Sequence, residues 1–200
     1  MDRPDSRPAG RPRDADADDR IIDAALAEYA AHGHAGYSLN GVARRAGVGK
    51  SSIYLRWSDK ESLLVDAVHA RTEAPDADTG SLRGDLEAVT AWALDYVLSS
   101  AGWVTVRIAI DGADTPNGGP DPHQVGMPHL EALRHVWERA VARGELSPEA
   151  PTEAALAMLY GSLIMGGMLD RQRLQALDAH GRQVIVDQLV TLVLRALGSS

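Results

Sequence analysis

Apolar side chains along this chain recur at steps of three and four, and that spacing predicts helices almost throughout. Ile22, Leu26 and Tyr29 mark a first helix, expected to start near Asp18 or Asp19 and to end at Gly33. Leu39, Val42, Ala43 and Ala46 share one face of a second. Ser38 stands ready to cap that helix, and Gly47 stops it because glycine takes the left-handed conformation cheaply. A third helix turns Ile53 and Trp57 inward and leaves Lys50, Ser51, Ser52 and Tyr54 outward. The fourth opens at Ser58-Asp59-Lys60-Glu61, the serine-to-glutamate spacing of a capping box. It buries Leu63, Leu64, Ala67 and Val68 and is expected to run to about Glu73.

Pro75 to Gly80 is a turn cluster and the expected boundary between two units, 18–73 and 74–200. Beyond it, Leu82, Leu86, Val89, Ala93, Tyr96 and Val97 predict one long helix. Trp103 to Ile110 alternates like a strand, yet no second strand exists to pair with it, so helix is preferred. Asp111 to Gly126 reads as a loop. Three helices follow, at about Pro128–Arg143, Thr152–Arg171 and His180–Leu197. The expected fold is therefore all-α, with about nine helices. Residues 1–17 repeat Arg-Pro before turning acidic and are expected to form a disordered basic arm, a composition too poor in apolar surface to offset the cost of ordering.

Residues 154–168 carry no charge and are apolar nearly all round, so that helix is expected to be covered on more than one side. Ile185, Leu189, Leu192, Val193 and Ala196 give the last helix its own stripe, and Gly161, Ser162, Gly166 and Gly167 would allow close approach of another backbone. Packing alone leaves an intermolecular four-helix bundle and an intramolecular core equally open.

Charge gives the second and third helices a direction. The chain carries −8, but Gly33 to Ser58 holds four cations (Arg44, Arg45, Lys50, Arg56) and no acid, which leaves −12 for everything else. Two short helices at a glycine corner, with a local basic island, make a helix-turn-helix whose second helix enters a DNA major groove. With no cysteine there is no disulfide, thiolate metal site or cysteine nucleophile. No apolar run of about 18 residues is seen, so no membrane span is expected. The N-terminus has no apolar signal-peptide core, which points to the cytoplasm.

Ala43, Ala46-Gly47-Val48, Tyr54, Trp57, Lys60 and Leu63-Leu64, behind a helix from Ile21 to Ala30, resemble the DNA-binding domain of the TetR family of bacterial transcriptional regulators. The likeness covers about the first third of the chain. It implies a sequence-specific regulator, more naturally a repressor, released from a near-palindromic operator by a small molecule. Ser38, Ser52, Tyr54 and Lys60 then stand where phosphate contacts are made, Gly49 offers a bare N–H at a helix N-terminus, and Arg44 adds charge. Asn40, Lys50 and Ser51 face base edges. The resemblance also implies a homodimer through the last two helices and an effector pocket in the middle of the chain. Candidate lining residues are Trp92, Tyr96, Trp103, Arg107, Met127, Trp137, Tyr160 and Met165, with Arg107 suited to an acidic ligand. No cofactor, metal or enzymatic activity is expected.

Three other readings carry less. Gly49-Lys50-Ser51 imitates the end of a P-loop, but that motif needs glycine where Arg44 stands and a strand before it. A helical protein-interaction module would leave the acid-free basic window unexplained. His123, His129 and His135 step by six residues, which does not align ligands on one helical face.

Overall fold

The computed structural model describes residues 15–114 and 128–198. Among them are ten helices and no strand: α1 (Ala15–Gly36), α2 (Leu39–Ala46), α3 (Lys50–Tyr54), α4 (Lys60–His69), α5 (Leu82–Leu98), α6 (Ser100–Asp114), α7 (Pro128–Ala142), α8 (Thr152–Leu169), α9 (Arg171–Gln175) and α10 (Ala179–Ala196). Most of the arm expected at 1–17 and most of the loop expected at 111–126 lie outside the described residues. Where they can be compared, Ala15 to Ala17 already belong to α1, and Asp111 to Asp114 continue α6.

Local chemistry sets the corners. The Ser38 hydroxyl accepts from the Gly41 N–H and starts α2, and Gly47 ends it at φ 67° with its own N–H returned to the Ala43 carbonyl. Several elements differ from their expected extents. α3 stops at Tyr54, so Trp57 lies beyond the helix; it is nevertheless buried, and its indole N–H donates to Asp66 at 2.8 Å. α4 starts one residue later than the capping box suggested, because Asp59 accepts from the Ser62 N–H while Ser62 returns its hydroxyl to the Asp59 backbone. It also ends at His69 rather than near Glu73. The helix beyond the nine expected, α9, is a single five-residue stretch that the apolar pattern does not announce.

Two hydrophobic clusters form. The first joins α1–α4 around Ile21, Tyr29, Val42, Ile53, Leu63 and Leu64, and it takes in Tyr96 of α5 and Ala101, Val104 and Ile108 of α6. The second joins α5, α7, α8 and α10 around Leu86, Val89, Leu133, Leu159, Val190 and Val193. α6 thus packs against the helices of the N-terminal third although it follows the expected boundary. Trp92 packs against both clusters.

Charged contacts fasten the connection between them. Asp85 is fully buried; it accepts from the Thr79 N–H at 2.6 Å and from Arg143 at 2.9 Å. Glu145 accepts from the Leu82 N–H at 2.5 Å, and Arg139 pairs with Asp76 at 2.9 Å. Residues 76–82 are in this way held against the end of α7.

α8 bears on the expectation that nothing spans a membrane. It spans 18 residues and is long and apolar enough to cross a membrane by length and composition. Counting uninterrupted apolar runs missed this, because its glycines, serine and single acid break the run without making the helix polar. Ala155, Leu159, Tyr160, Leu163 and Gly167 bury one side of it in the second cluster. Ala154, Ala157, Met158, Gly161, Ser162, Met165, Met168 and Leu169 leave the other side exposed.

Candidate nucleic-acid interface

The helix-turn-helix corner is built on α1. Tyr29 meets Tyr37 edge-on at 5.4 Å between ring centroids, Ile53 anchors α3 in the first cluster, and Val48 packs half-buried at the turn. With Ile53 fixed inward, the rest of α3 must face out. Lys50, Ser51 and Tyr54 are exposed and Ser52 is half-buried.

A recess of about 340 Å³ opens between α2, α3 and the start of α4, lined by Ser38, Asn40, Lys50, Tyr54 and Lys60 among others. Those five residues are brought together here. Arg44, Gly49, Ser51 and Ser52 are not part of its wall; Arg44, Gly49 and Ser51 stand exposed beside it. Two of the five already have partners within the chain. The Ser38 hydroxyl is engaged in capping α2, and the Lys60 ammonium lies 3.4 Å from the Tyr37 carbonyl and 3.8 Å from Glu61.

The basic island is smaller in space than in sequence. Arg45 donates two hydrogen bonds to Glu28 of α1, a carboxylate that is itself buried, and Arg56 pairs with Asp18 at 2.7 Å. Arg71 likewise joins Asp19 and Asp23. The acidic face of α1 therefore neutralises half of the cations counted along the helix-turn-helix, while Arg44 and Lys50 have no ion pair among the described residues. Asp59 and Glu61 also line the recess, just past the window in which no acid was found. Hydrogen bonds from the Ser62 N–H and the Ser58 and Ser62 hydroxyls hold the Asp59 pKa below the usual carboxylate value.

The expected pocket residues separate. A cavity of about 50 Å³ lies between α5, α6 and α8, and Tyr96 and Tyr160 line it together with Val97, Gly102, Thr105, Val106, Ala109 and Ile164. Burial raises the phenol pKa of both tyrosines, and the Tyr96 hydroxyl lies 2.7 Å from Thr105. Trp92 is not in this wall but stacks on Tyr96 from behind, 5.1 Å between centroids. Trp103 lies under the Arg171 guanidinium at 5.3 Å, and Trp137 packs half-buried on the second cluster. Met165 points away, 53% exposed on the open side of α8. Met127 lies outside the described residues.

Arg107 is turned to a different task from the one expected. It donates to the Ala30 carbonyl near the end of α1 at 2.5 Å and lies 4.0 Å from Asp111. Asp111 in turn accepts from the Tyr29 hydroxyl at 3.0 Å and the His34 N–H at 3.1 Å. Gly33, in the left-handed region at φ 62°, makes room for this joint: a Cβ there would sit 2.6 Å from the Arg107 guanidinium. α6 consequently has one face on the cavity and another on α1. The cavity face was readable in sequence, since Gly102, Thr105, Val106 and Ala109 follow helical spacing opposite Val104 and Ile108.

Comparison with known proteins agrees with this architecture. Residues 21–67 match the family model described as bacterial regulatory proteins, tetR family. Residues 76–189 match the tetracyclin repressor-like C-terminal domain. The HTH-type transcriptional regulator AqdR of Rhodococcus erythropolis is 31% identical over 153 residues, covering 76% of this chain and 71% of that protein. A DNA-binding transcriptional repressor TetR of Mycobacteroides abscessus is 30% identical over 186 residues, covering 86% and 92%. Among solved structures, FadR of Bacillus subtilis in complex with stearoyl-CoA superposes with a TM-score of 0.68 at 16% identity, over 88% of this chain and 97% of that one.

Proposed function

The chain belongs to the TetR family of bacterial regulatory proteins, and from that premise we propose how it reads DNA, pairs with a second copy and is released. It is a sequence-specific DNA-binding transcriptional regulator. In the proposed arrangement residues 18–73 form the DNA head and residues 74–200 the effector and dimer unit. α3 lies in the major groove, where Lys50, Ser51 and Asn40 meet base edges. Tyr54, Ser52, Lys60, Arg44, the Gly49 N–H and the half-exposed edge of Ser38 meet phosphates.

The observation that carries the dimer is the open side of α8. Its exposed positions from Ala154 to Leu169 follow steps of three and four along the whole helix, and α10 adds exposed Val184 and Leu192 beside it. Two helices with an uncovered apolar face, in a chain whose head reads only a few base pairs, fit a bundle formed with the same two helices of a second copy. The homodimer then presents two α3 helices to a near-palindromic operator, and occupancy of that operator is sufficient for repression.

An apolar effector would enter between α5, α6 and α8. The cavity there is far smaller than the roughly 300–1,000 Å³ of an ordinary ligand site, so entry requires α6 to move. α6 is also the helix that holds the end of α1 through Arg107 and Asp111, and its displacement would tilt the head. That the related fold of FadR was solved with stearoyl-CoA supports a ligand that carries a long apolar chain.

The test is selection of bound duplexes from a random library, with sedimentation of the full chain alone and on the selected DNA. An inverted repeat with half-sites about one helical turn apart, bound by a species of twice 21.3 kDa, is expected. A chain that stays monomeric on its selected site would overturn the dimer, and a selected site without inverted symmetry would overturn the paired-head arrangement.

A further inference from the structure

Leu55 is the large hydrophobic side chain with the greatest exposure among the described residues, at 84%. It follows α3 directly, yet its backbone keeps helical angles (φ −69°, ψ −16°) and its N–H donates to the Ser51 carbonyl at 3.0 Å. Leu55 therefore stands one turn above Ser51 on the same face. At about 100° per residue, Ser51 and Leu55 both point roughly 160° away from Ile53, the residue that anchors α3 in the core. Lys50 and Tyr54 fall to one flank of that direction, and half-buried Ser52 to the other.

The centre of the outward face is thus a serine and a leucine, with the charge to the side. A single exposed leucine is ordinary on a protein surface. This one stands on the helix proposed to enter a major groove, beside a cation that has no ion pair among the described residues. Only one base-pair edge in that groove offers an apolar partner, the 5-methyl group of thymine.

We propose that Leu55 is a specificity-determining residue that packs against a thymine methyl in each half-site, while Lys50 and Asn40 supply the polar reading. This rests on α3 being the reading helix. It predicts a preference for thymine at one fixed position, lost when the methyl is absent even though every base-pairing and groove hydrogen bond is kept.

The experiment uses the full-length chain and a labelled duplex of the sequence it selects from a random library, titrated by fluorescence anisotropy at fixed salt. Each thymine is replaced in turn by deoxyuridine, which removes only the methyl group. For the unaltered protein, one replacement per half-site should weaken binding about fourfold, the worth of one buried methyl group. Leu55→Ala should bind the thymine duplex more weakly and show no further loss at that position. Leu55 makes no core contact to lose, and Lys50→Ala serves as the control for the helix. If Lys50→Ala weakens binding but Leu55→Ala keeps the full deoxyuridine sensitivity, or no thymine is methyl-sensitive, the role of Leu55 is overturned alone. If both variants bind as the unaltered protein does, α3 is not the reading helix and the two readings fall together.

Discussion

Lys50 is exposed, has no ion pair among the described residues and sits on the rim of the recess between α2, α3 and α4. Lys50→Ala is expected to weaken specific binding by about 1–3 kcal/mol, read by anisotropy at fixed salt; unchanged affinity would remove it from the base-reading set. Arg44→Ala should instead weaken all sequences alike and lower the salt slope by about one. Glu61 acts in the opposite direction, as a carboxylate near the Lys60 ammonium on the face proposed for phosphate. Glu61→Gln should strengthen generic duplex binding by ~0.5 kcal/mol, a size typical of an exposed charge contact, and the gain should vanish at high salt. This residue-level balance was only half legible in the sequence. The Ser38 cap and the Gly47 turn are local, so their neighbours reveal them. The pairing of Arg45 with Glu28, seventeen positions apart, and of Arg56 with Asp18 depends on how α1 crosses the next two helices, and a window of charges cannot show that.

Between helices, two joints decide what moves with what. One is Asp85, held by Thr79 and Arg143. Burial works to raise its pKa, but the hydrogen bonds from Thr79 and the Arg143 guanidinium outweigh it and leave the pKa below the ordinary 3.8. A carboxylate stabilised in the folded state contributes fully above its unfolded pKa, and that contribution is lost as pH falls through the lower folded value. Asp85→Asn is therefore expected to cost about 1–3 kcal/mol near neutral pH. The deficit should shrink below about pH 4, as followed by thermal unfolding across pH. The other joint is Arg107, Asp111 and Gly33. Arg107→Ala should leave α6 packed through Val104 and Ile108 while freeing the end of α1. The expected result is retained operator binding with a weakened response to effector, since coupling requires an element that both sites bias. An unchanged response would show that coupling runs through α4 instead. The helices themselves were largely readable from their three- and four-residue spacing. Their ends were not: α3 stops at Tyr54 without a sequence stop signal, and α4 starts from the Asp59–Ser62 exchange, one of two capping choices that Ser58 and Asp59 both offer. Arg107 shows a related limit: a lone cation in an apolar helix suggests a ligand partner, whereas here its guanidinium donates to the Ala30 carbonyl near the end of another helix.

At the scale of the whole molecule, α8 poses the largest question of surface. Its composition would suit a bilayer, yet Ala155, Leu159, Leu163 and Gly167 are already buried in the second cluster. Placing it in lipid would cover its open side but strip those contacts from α5 and α10. A second copy covers the other side and keeps the first. The glycine and serine at 161 and 162 favour that solution, because small residues let two helices approach closely and add dispersion contacts along their length. Leu192→Asp and Met165→Glu place a charge on the proposed seam without touching either core cluster, so the monomer should remain folded by circular dichroism. Sedimentation without detergent should then show a single chain. Affinity for the full operator should fall about 10²–10⁴-fold, the gain that linking two heads confers, while the weak binding of one head to an isolated half-site is retained. Loss of half-site binding as well would mean that the head depends on the dimer for its fold, and the two functions assigned to opposite ends of the chain would have to be treated as one.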